Sequence, residues 1–384
     1  MELDPLSKQA PRLLFFVTED WYFCSHRLPL AQAARAAGYE VVLVTRVRRH
    51  GDAIRAQGIR VIPLELSRRG LNPLRELALI RRLYAIYRRE RPDILHQVAM
   101  KPVLYGSLAA RLAGVSGIVN ALAGLGFLFS SGRLQARLLR PLVRLALRGL
   151  LGSSPIILQN PDDLRLISDL AHLPPRQVHL ICGAGVDLVA FYPTPPPPET
   201  PAGPVVMLPA RLLWDKGVGE FVEAAGRLRA RGIAARCVLV GAPDPDNPAA
   251  VPEGRIRAWV EAGFIEWWGP RDDMPATLQQ SHIVCLPSYR EGLPKVLAEA
   301  AACGRPIITS DAPGCREVVR HGENGLLVPV RDASALTEAL AILIRDSDLR
   351  NAYGQAGRRR AEAEFGNKRV IAATLAIYRD LLDD

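Results

Sequence analysis

The chain has 384 residues, of which 49% are hydrophobic and 23% are charged. This balance is typical of a globular protein and excludes extensive disorder. A single hydrophobic core stops growing near about 250–300 residues, so two domains are expected. The formal net charge is +10, and residues 1–200 hold 26 Lys and Arg against 15 Asp and Glu, whereas the remainder holds 23 against 24. The N-terminal half is therefore expected to face a membrane surface, a phosphate-bearing substrate or nucleic acid.

The six cysteines form no C-x-x-C pair, and several lie in apolar runs. This usage predicts buried, reduced thiols in a cytoplasmic protein. The polar residues 1–12 predict no signal peptide, and no uncharged apolar stretch reaches the ~18 residues of a transmembrane helix. A membrane-associated form would therefore lie on the surface of the bilayer. Nucleic acid is disfavoured as a partner, because the basic half lacks interleaved aromatic residues and any recognisable binding motif.

Short apolar, β-branched runs alternate with helical patterns along the N-terminal half, which indicates βαβ units and a parallel sheet. The runs predicted to be strands are Leu13–Thr18, Val41–Arg46, Val61–Leu66, Ile94–Ala99, Gly117–Leu122, Ile156–Asn160 and Val178–Cys182. Residues 1–194 are thus predicted to form a first Rossmann-like domain.

Residues 195–204 contain five prolines and a glycine in the first nine positions, which favours a stiff linker between domains. The alternation then restarts, with strands predicted at Val205–Pro209, Arg236–Val240, Ile265–Trp268, Ile283–Pro287, Pro306–Ser310 and Leu326–Pro329. Residues 205–366 are predicted to form a second doubly wound domain. Ligands in such sheets bind beyond the carboxyl ends of the strands, so a cleft between two facing sheets is expected. The last helices are predicted at Ala333–Phe365 and Lys368–Leu382. Residues 367–384 could return to the first domain.

A polar turn follows the predicted strand Ile283–Pro287, in residues 288–305 (SYREGLPKVLAEAAACGR). A helix is predicted to start near Leu293–Pro294, and its N-terminus would offer free N–H groups to an anion. Glu291 precedes that terminus, and Glu299 lies eight residues later, about two helical turns further on. Glu299 sits among Leu and Ala residues, so its carboxylate needs a partner, such as a ribose diol or a nearby arginine. A solvated loop acid is the alternative interpretation of Glu291.

A second turn, in residues 209–218 (PARLLWDKGV), follows the first strand of the second domain. Arg211 and Lys216 flank this turn, and two cations at the end of a strand could neutralise a diphosphate. An ordinary pair of surface cations is the alternative. Asp244 and Asp246 match a D-x-D metal motif, but they lie in a Pro-rich loop that is better explained as a turn, so no metal is expected.

Together, the Arg-x4-Lys-Gly turn, the Glu-Gly-Leu-Pro sequence and the second Glu resemble retaining glycosyltransferases of family 4, which have the GT-B fold. The resemblance extends over nearly the whole chain. It continues through residues 268–294 and 311–329, and residues 183–193 (GAGVDLVAFYP) resemble the segment before the interdomain linker. The segments SHRLPL, ARLLWDKGV and SYREGLPKVLAEA resemble the subgroup that adds an N-acetylhexosamine, N-acetylgalactosamine for example, or another hexose to polyprenyl-diphosphate-linked glycans in bacteria.

The resemblance implies a UDP-sugar donor, no cofactor, and specific roles for the residues of both turns. Arg211 and Lys216 would hold the donor diphosphate, Glu291 would touch the donor sugar, and Glu299 would bind the ribose. Arg271 would lie near the nucleotide base. The backbone of Gly292, Leu293, Pro294 and Lys295 would meet the phosphate.

The resemblance also implies that the first domain, residues 1–194, binds the acceptor, but its sequence contains fewer recognisable motifs. His26 and Arg27 are predicted to start a helix after the first strand, where Arg27 could bind an acceptor phosphate or simply lie on the helix surface. His96 ends a strand and matches a histidine often seen in the family, so it is a candidate for catalysis as well as for the core. Lys101 is a candidate phosphate contact. Gly124 and Gly126 punctuate an apolar loop that could border the acceptor site.

Residues 132–152 form a basic amphipathic pattern in which Arg133, Arg137, Arg140, Arg144 and Arg148 fall on one face. No acidic residue lies between Lys101 and Leu151. Such a helix suits an anionic membrane, and it predicts peripheral attachment to the inner face of the cell membrane. An ordinary helix on the sheet with a solvated arginine face is the alternative.

Three other functions compete with sugar transfer. A GT-B-fold epimerase acting on a UDP-sugar is disfavoured by Arg211 and Lys216, because such enzymes lack the Arg-x4-Lys turn. A catalytically silent membrane scaffold would not need Glu291 and Glu299. An NAD-dependent oxidoreductase is disfavoured because residues 13–27 carry no G-x-G-x-x-G after the first strand.

Overall fold

The computed structural model describes residues 10–66, 72–122 and 144–383. Its first sheet contains seven strands in the order β3-β2-β1-β4-β5-β6-β7, all paired in parallel. The strands are β1 (Arg12–Glu19), β2 (Glu40–Arg46), β3 (Arg60–Pro63), β4 (Ile94–Val98), β5 (Gly117–Leu122), β6 (Ile156–Leu158) and β7 (Val178–Leu180).

The second sheet contains six parallel strands in the order β10-β9-β8-β11-β12-β13. They are β8 (Val205–Pro209), β9 (Arg236–Val240), β10 (Glu266–Gly269), β11 (Ile283–Leu286), β12 (Ile307–Ser310) and β13 (Gly325–Val328). Each strand predicted from the sequence is thus confirmed, with its ends displaced by at most three residues. Parallel strands are buried on both faces, and this is why uninterrupted apolar runs marked them.

Helices connect the strands and cover both sheets. In the described residues they are α1 (Asp20–His26), α2 (Leu28–Ala36), α3 (Gly51–Ala56), α4 (Pro73–Glu90), α5 (Ser107–Ala113), α6 (Pro161–Ala171), α7 (Val218–Ala230), α8 (Glu253–Glu261), α9 (Met274–Gln279), α10 (Lys295–Ala302), α11 (Ala333–Arg345), α12 (Ser347–Arg360) and α13 (Asn367–Asp383). Residues 144–151 are also helical. Two doubly wound α/β domains, as expected from the sequence, are therefore the observed fold.

The helix predicted over Ala333–Phe365 is wrong in detail. It is split into α11 and α12, because the Asp346 side chain accepts a hydrogen bond from the Leu349 N–H at 2.8 Å and caps a new helix. A π-helical turn, Ala361–Phe365, then ends α12. The last helix, α13, packs Val370, Ile377 and Tyr378 into the core of the first domain.

The order of strands reverses at one place in each sheet, between β1 and β4 in the first and between β8 and β11 in the second. Crevices at such switch points are the usual ligand sites of open α/β sheets. The segments that leave β1, β4, β8 and β11 at their carboxyl ends are therefore the ones to inspect for function.

Candidate active site

The turns after β8 and β11 bring two of the predicted donor residues together. Lys216 ends a short 3-10 turn, Trp214–Lys216, and its ammonium group is hydrogen-bonded to the Glu291 carboxylate. The Ser288 hydroxyl donates to the same carboxylate oxygen at 2.6 Å. Both charged side chains are mostly buried, with 19% and 13% of their surfaces exposed. Two groups that are 75 residues apart in sequence thus form one polar centre at the switch point.

The backbone of the loop that carries Glu291 is fixed by its neighbours. The Glu291 N–H donates to the Pro313 carbonyl at 3.0 Å. Gly314, with φ +81°, passes so close beneath the loop that a Cβ there would lie 2.5 Å from the carbonyl oxygens of Glu291 and Gly292. Glycine is therefore required at position 314 both by its conformation and by this close approach.

The same loop presents buried amides that have no acceptor. Gly292 and Leu293 are both buried, and within the described residues neither N–H donates to a protein group. They precede α10, whose N-terminal cap is Pro294, so this helix begins slightly later than predicted. Buried amides at a helix N-terminus form an anion site, because the helix dipole adds a partial positive charge.

Arg211 lies where the two domains meet. Its guanidinium group donates to Asp244 at 2.8 Å, and it is 5.8 Å from the centre of the Trp21 ring, which belongs to α1 of the first domain. Asp246 extends the contact, because it pairs with Arg46 at 3.2 Å and with Arg48 at 3.8 Å. The expected turn containing Asp244 and Asp246 is thus occupied by ion pairs with arginines. Among the described residues, no group of His, Cys, Asp or Glu is arranged to hold a metal ion.

Glu299 is buried in α10, with 4% of its surface exposed. Burial raises the pKa of its carboxyl group, and the ammonium group of Lys295, four residues earlier, opposes that shift. Lys295 therefore supplies the partner that the sequence required. Arg271 is exposed in the loop after β10, with its guanidinium carbon 5.9 Å from the centre of the Trp268 ring.

On the acceptor side, His26 and Arg27 do not start a helix as predicted. His26 is the last residue of α1, and Arg27 is the junction with α2. Arg27 is only 5% exposed, its Nε has no hydrogen-bond partner, and it pairs with no carboxylate in the described part of the chain. A buried, uncompensated guanidinium group is costly, which favours an anionic ligand at this position.

Burial lowers the pKa of His26 to about 3, and the positive charges of Arg27 and Lys295 contribute. The His26 ring stacks on Tyr22, with the ring centres 4.1 Å apart.

His96 lies on β4, across the switch point from β1. Its Nδ1 is hydrogen-bonded to the hydroxyl of Tyr378 from α13, and its ring stacks on Phe15 at 5.2 Å. Burial, reinforced by the charge of Arg27, lowers the pKa of His96 well below its usual value, so the imidazole is neutral at pH 7. Its Nε2 has no partner in the described residues. The core contacts are compatible with a structural role for His96, and the buried, unpaired Nε2 is compatible with a role in catalysis.

The remaining acceptor and membrane candidates are more dispersed. Lys101 pairs with Glu76 at 2.8 Å and lies 5.5 Å from the centre of the Tyr105 ring. Gly124, Gly126, Arg133, Arg137 and Arg140 lie outside the described residues. Arg144 and Arg148 are exposed on the helical segment 144–151.

Sequence reasoning missed several residues of this site. Ser288 could have been found from its place between a strand and the predicted anion site. Asn160 could have been found from its Asn-Pro-Asp-Asp sequence, which caps α6 directly after β6. Tyr378 carries no local signal, since it lies 282 residues from His96.

Comparison with known proteins places both halves of the chain in one family. The family model for glycosyl transferases group 1 matches residues 203–346, and the model for glycosyl transferase 4-like proteins matches residues 12–160. The chain belongs to the family 4, group 1 glycosyltransferases. The two matches fall on the two sheets, so both halves of this glycosyltransferase carry family features.

A curated relative from Campylobacter jejuni, N,N'-diacetylbacillosaminyl-diphospho-undecaprenol alpha-1,3-N-acetylgalactosaminyltransferase, is 29% identical over 84% of this chain and 87% of its own. A putative glycosyltransferase of Bacillus subtilis, EpsD, is 25% identical over 97% of both chains. Among solved structures, Anabaena HepE with UDP and glucose aligns at a TM-score of 0.74 and 17% identity, covering 95% of this chain and 99% of its own. That structure supports the GT-B fold of the glycosyltransferase. In the described part of the glycosyltransferase, no helix is both long enough and apolar enough to span a bilayer.

We expect Gly314→Ala to displace the Glu291 loop, because its new methyl group would meet two backbone carbonyl oxygens. Steady-state turnover should fall by about 100-fold, as misplaced site groups commonly cost that much. Gly322→Ala is the matched control: its φ is +79°, but nothing lies within 4 Å of the added Cβ. It should lose about 1–2 kcal/mol of stability through backbone strain and keep its turnover. Equal turnover in the two variants would contradict the close-approach argument.

Proposed function

We propose that the chain is a retaining, metal-independent glycosyltransferase that moves a hexose or N-acetylhexosamine from a UDP-sugar to a polyprenyl-diphosphate-linked saccharide in bacterial glycan assembly. The observation that carries the donor half is the cluster of Lys216, Glu291 and the buried amides of Gly292 and Leu293 at the switch point of the second sheet. It offers positive charge, a carboxylate for sugar hydroxyls and an anion-binding helix start within one crevice.

Departure of the nucleoside diphosphate develops negative charge on its terminal phosphate oxygens. Arg211, Lys216 and the N-terminus of α10 supply fixed positive charge for that group, so the protein itself can stabilise the transition state. Glu291 is positioned to accept hydrogen bonds from the donor sugar, and Glu299 is assigned to the ribose. Arg271 is assigned to the base. Stabilising the leaving group is the largest contribution expected, because this charge is absent from the ground state.

For the acceptor, the buried and uncompensated Arg27 supports a phosphate-bearing substrate. The name of the Campylobacter relative specifies a diphospho-undecaprenol acceptor, which agrees with a lipid-diphosphate chemistry at this position. His96 has a neutral imidazole whose buried Nε2 lacks a hydrogen-bond partner in the described residues, and this nitrogen could bind a sugar hydroxyl. His26, Lys101, Gly124 and Gly126 are retained as acceptor-side candidates.

A lipid-linked acceptor requires contact with a membrane, and we assign this contact to the basic first domain on the cytoplasmic face. Leu112 and Leu145 are 63% and 69% exposed, on α5 and on the helical segment 144–151. Arg111 joins these two elements by donating to the Gly149 carbonyl. The exposed leucines thus lie on the same two helical elements as the exposed Arg111, Arg144 and Arg148. Apolar and cationic groups are combined in this way on interfacial helices.

The proposed donor and acceptor are tested by mass spectrometry, with a panel of UDP- and GDP-sugars and a polyprenyl-diphosphate-linked saccharide. The expected product is the acceptor heavier by one hexose or N-acetylhexosamine, formed with a UDP-sugar. Conversion of a UDP-sugar to its epimer in the absence of acceptor would favour the epimerase alternative. No product with any UDP-sugar would contradict the proposal.

Lys216→Ala is expected to lower kcat by about 10²–10³-fold, because it removes an ammonium group that stabilises negative charge on the departing diphosphate in the transition state. The KM for the donor should change far less. Lys368→Ala, an exposed lysine on α13, is the control and should match the parent enzyme. Measured kcat and KM decide the outcome: a large rise in KM with unchanged kcat would show that Lys216 acts in ground-state binding.

Neutralising Arg137, Arg140 and Arg144 to glutamine is expected to release the protein from anionic liposomes, because each cation near such a surface contributes about 1 kcal/mol. Sedimentation with phosphatidylglycerol-containing vesicles measures the bound fraction. The control neutralises three exposed arginines of the second domain, Arg255, Arg345 and Arg359, and changes net charge equally. Equal release by both triple variants would show that total charge, and not this surface, determines binding.

A further inference from the structure

Asn160 of the first domain reaches into the donor loop of the second domain. It lies between β6 and α6 and is completely buried. Its amide nitrogen is 2.7 Å from the Gly292 carbonyl oxygen and 3.3 Å from that of Glu291. Its amide oxygen accepts the Asp163 N–H at 2.7 Å, which caps α6. The oxygen faces an N–H and the nitrogen faces carbonyls, so the orientation of the amide is fixed.

Two ion pairs hold the same junction. Arg290, the residue before Glu291, pairs with Asp163, which is completely buried. Burial raises the pKa of the Asp163 carboxyl, and Arg290 opposes this shift. Arg316 pairs with Asp162 at 3.1 Å at the rim. Hydrogen bonds and an ion pair thus connect the start of α6, in the first domain, to the loop that carries Glu291.

The position of Asn160 has a consequence for the peptide units it contacts. All peptide bonds of the described chain are trans, so each carbonyl and the following N–H point in opposite directions. Drawing the carbonyls of Glu291 and Gly292 towards Asn160 therefore turns the N–H groups of Gly292 and Leu293 the other way. These are the two buried amides that have no protein acceptor in the described residues.

We infer that Asn160 is a positioning residue for glycosyl transfer: it aims the Gly292 and Leu293 amides at the donor diphosphate from the opposite domain. This inference rests on the proposed function. It makes the acceptor domain part of the donor site, because the amides keep this orientation through a contact that crosses the interface. Asn160 itself touches no substrate in this account.

The test exploits a second Asn-Pro helix start. Asn72 caps α4 by accepting from the Leu74 and Arg75 N–H groups, and it precedes Pro73 as Asn160 precedes Pro161. Serine caps helices about as well as asparagine, so Asn160→Ser and Asn72→Ser should both keep their helices. The shorter serine side chain at 160 cannot also reach the Gly292 carbonyl.

We expect Asn160→Ser to lower kcat by at least about tenfold, given that misplacing a site group commonly costs up to about 100-fold. The donor KM should change less than threefold, and Asn72→Ser should match the parent enzyme. Thermal unfolding measures the stability of each variant. A purely structural role for Asn160 would leave kcat per folded molecule unchanged, whatever the change in Tm, and that result would overturn the inference.

Two further variants separate the possible failures. If Asn160→Ser does not fold, Asn160→Asp keeps the cap but sets a carboxylate against two carbonyls and against the Asp163 carboxylate, which accepts from the Asn160 amide at 3.0 Å. The same loss of kcat is expected. An active Asn160 variant alongside an inactive Glu291→Ala would overturn the positioning role alone. Full turnover in Glu291→Ala would instead overturn the proposed donor site.

Discussion

The site depends on the fixed backbone of the loop between β11 and α10. The Pro313 carbonyl accepts the Glu291 N–H, while Gly314 and the side chain of Asn160 both lie against the carbonyls of Glu291 and Gly292. Those contacts come from two other strand ends, one of them in the opposite domain. The loop can therefore carry a carboxylate and free amides in a defined arrangement before any ligand arrives, which is the condition for electrostatic preorganisation.

The two cations assigned to the donor diphosphate are already paired, and so is Lys295 at the start of α10. Arg211 pairs with Asp244, Lys216 with Glu291 and Lys295 with Glu299. The Lys216–Glu291 and Lys295–Glu299 pairs are mostly buried, so removing one member of either pair would leave an uncompensated charge. A bound diphosphate would compete with the carboxylates for the same cations. Arg27 differs, because its guanidinium group has no carboxylate partner in the described residues.

The sequence allowed the strands and the donor residues to be predicted for a physical reason. Strands of parallel sheets are apolar on both faces, and Lys216 and Glu291 follow two of them directly, where ligands bind. Asn160 and Tyr378 could not be placed in the same way. Their partners lie 132 and 282 residues away, and such contacts depend on how the domains pack. The break at Asp346 was missed because a helix cap there competes with a continuous apolar pattern.

A nucleoside diphosphate is proposed to occupy the crevice between β8 and β11. A crystal structure of the enzyme soaked with UDP tests this directly. The account predicts phosphate oxygens within hydrogen-bonding distance of the Gly292 and Leu293 amides and of the Lys216 ammonium group. Electron density for the diphosphate elsewhere on the protein, with these amides left without an acceptor, would contradict it.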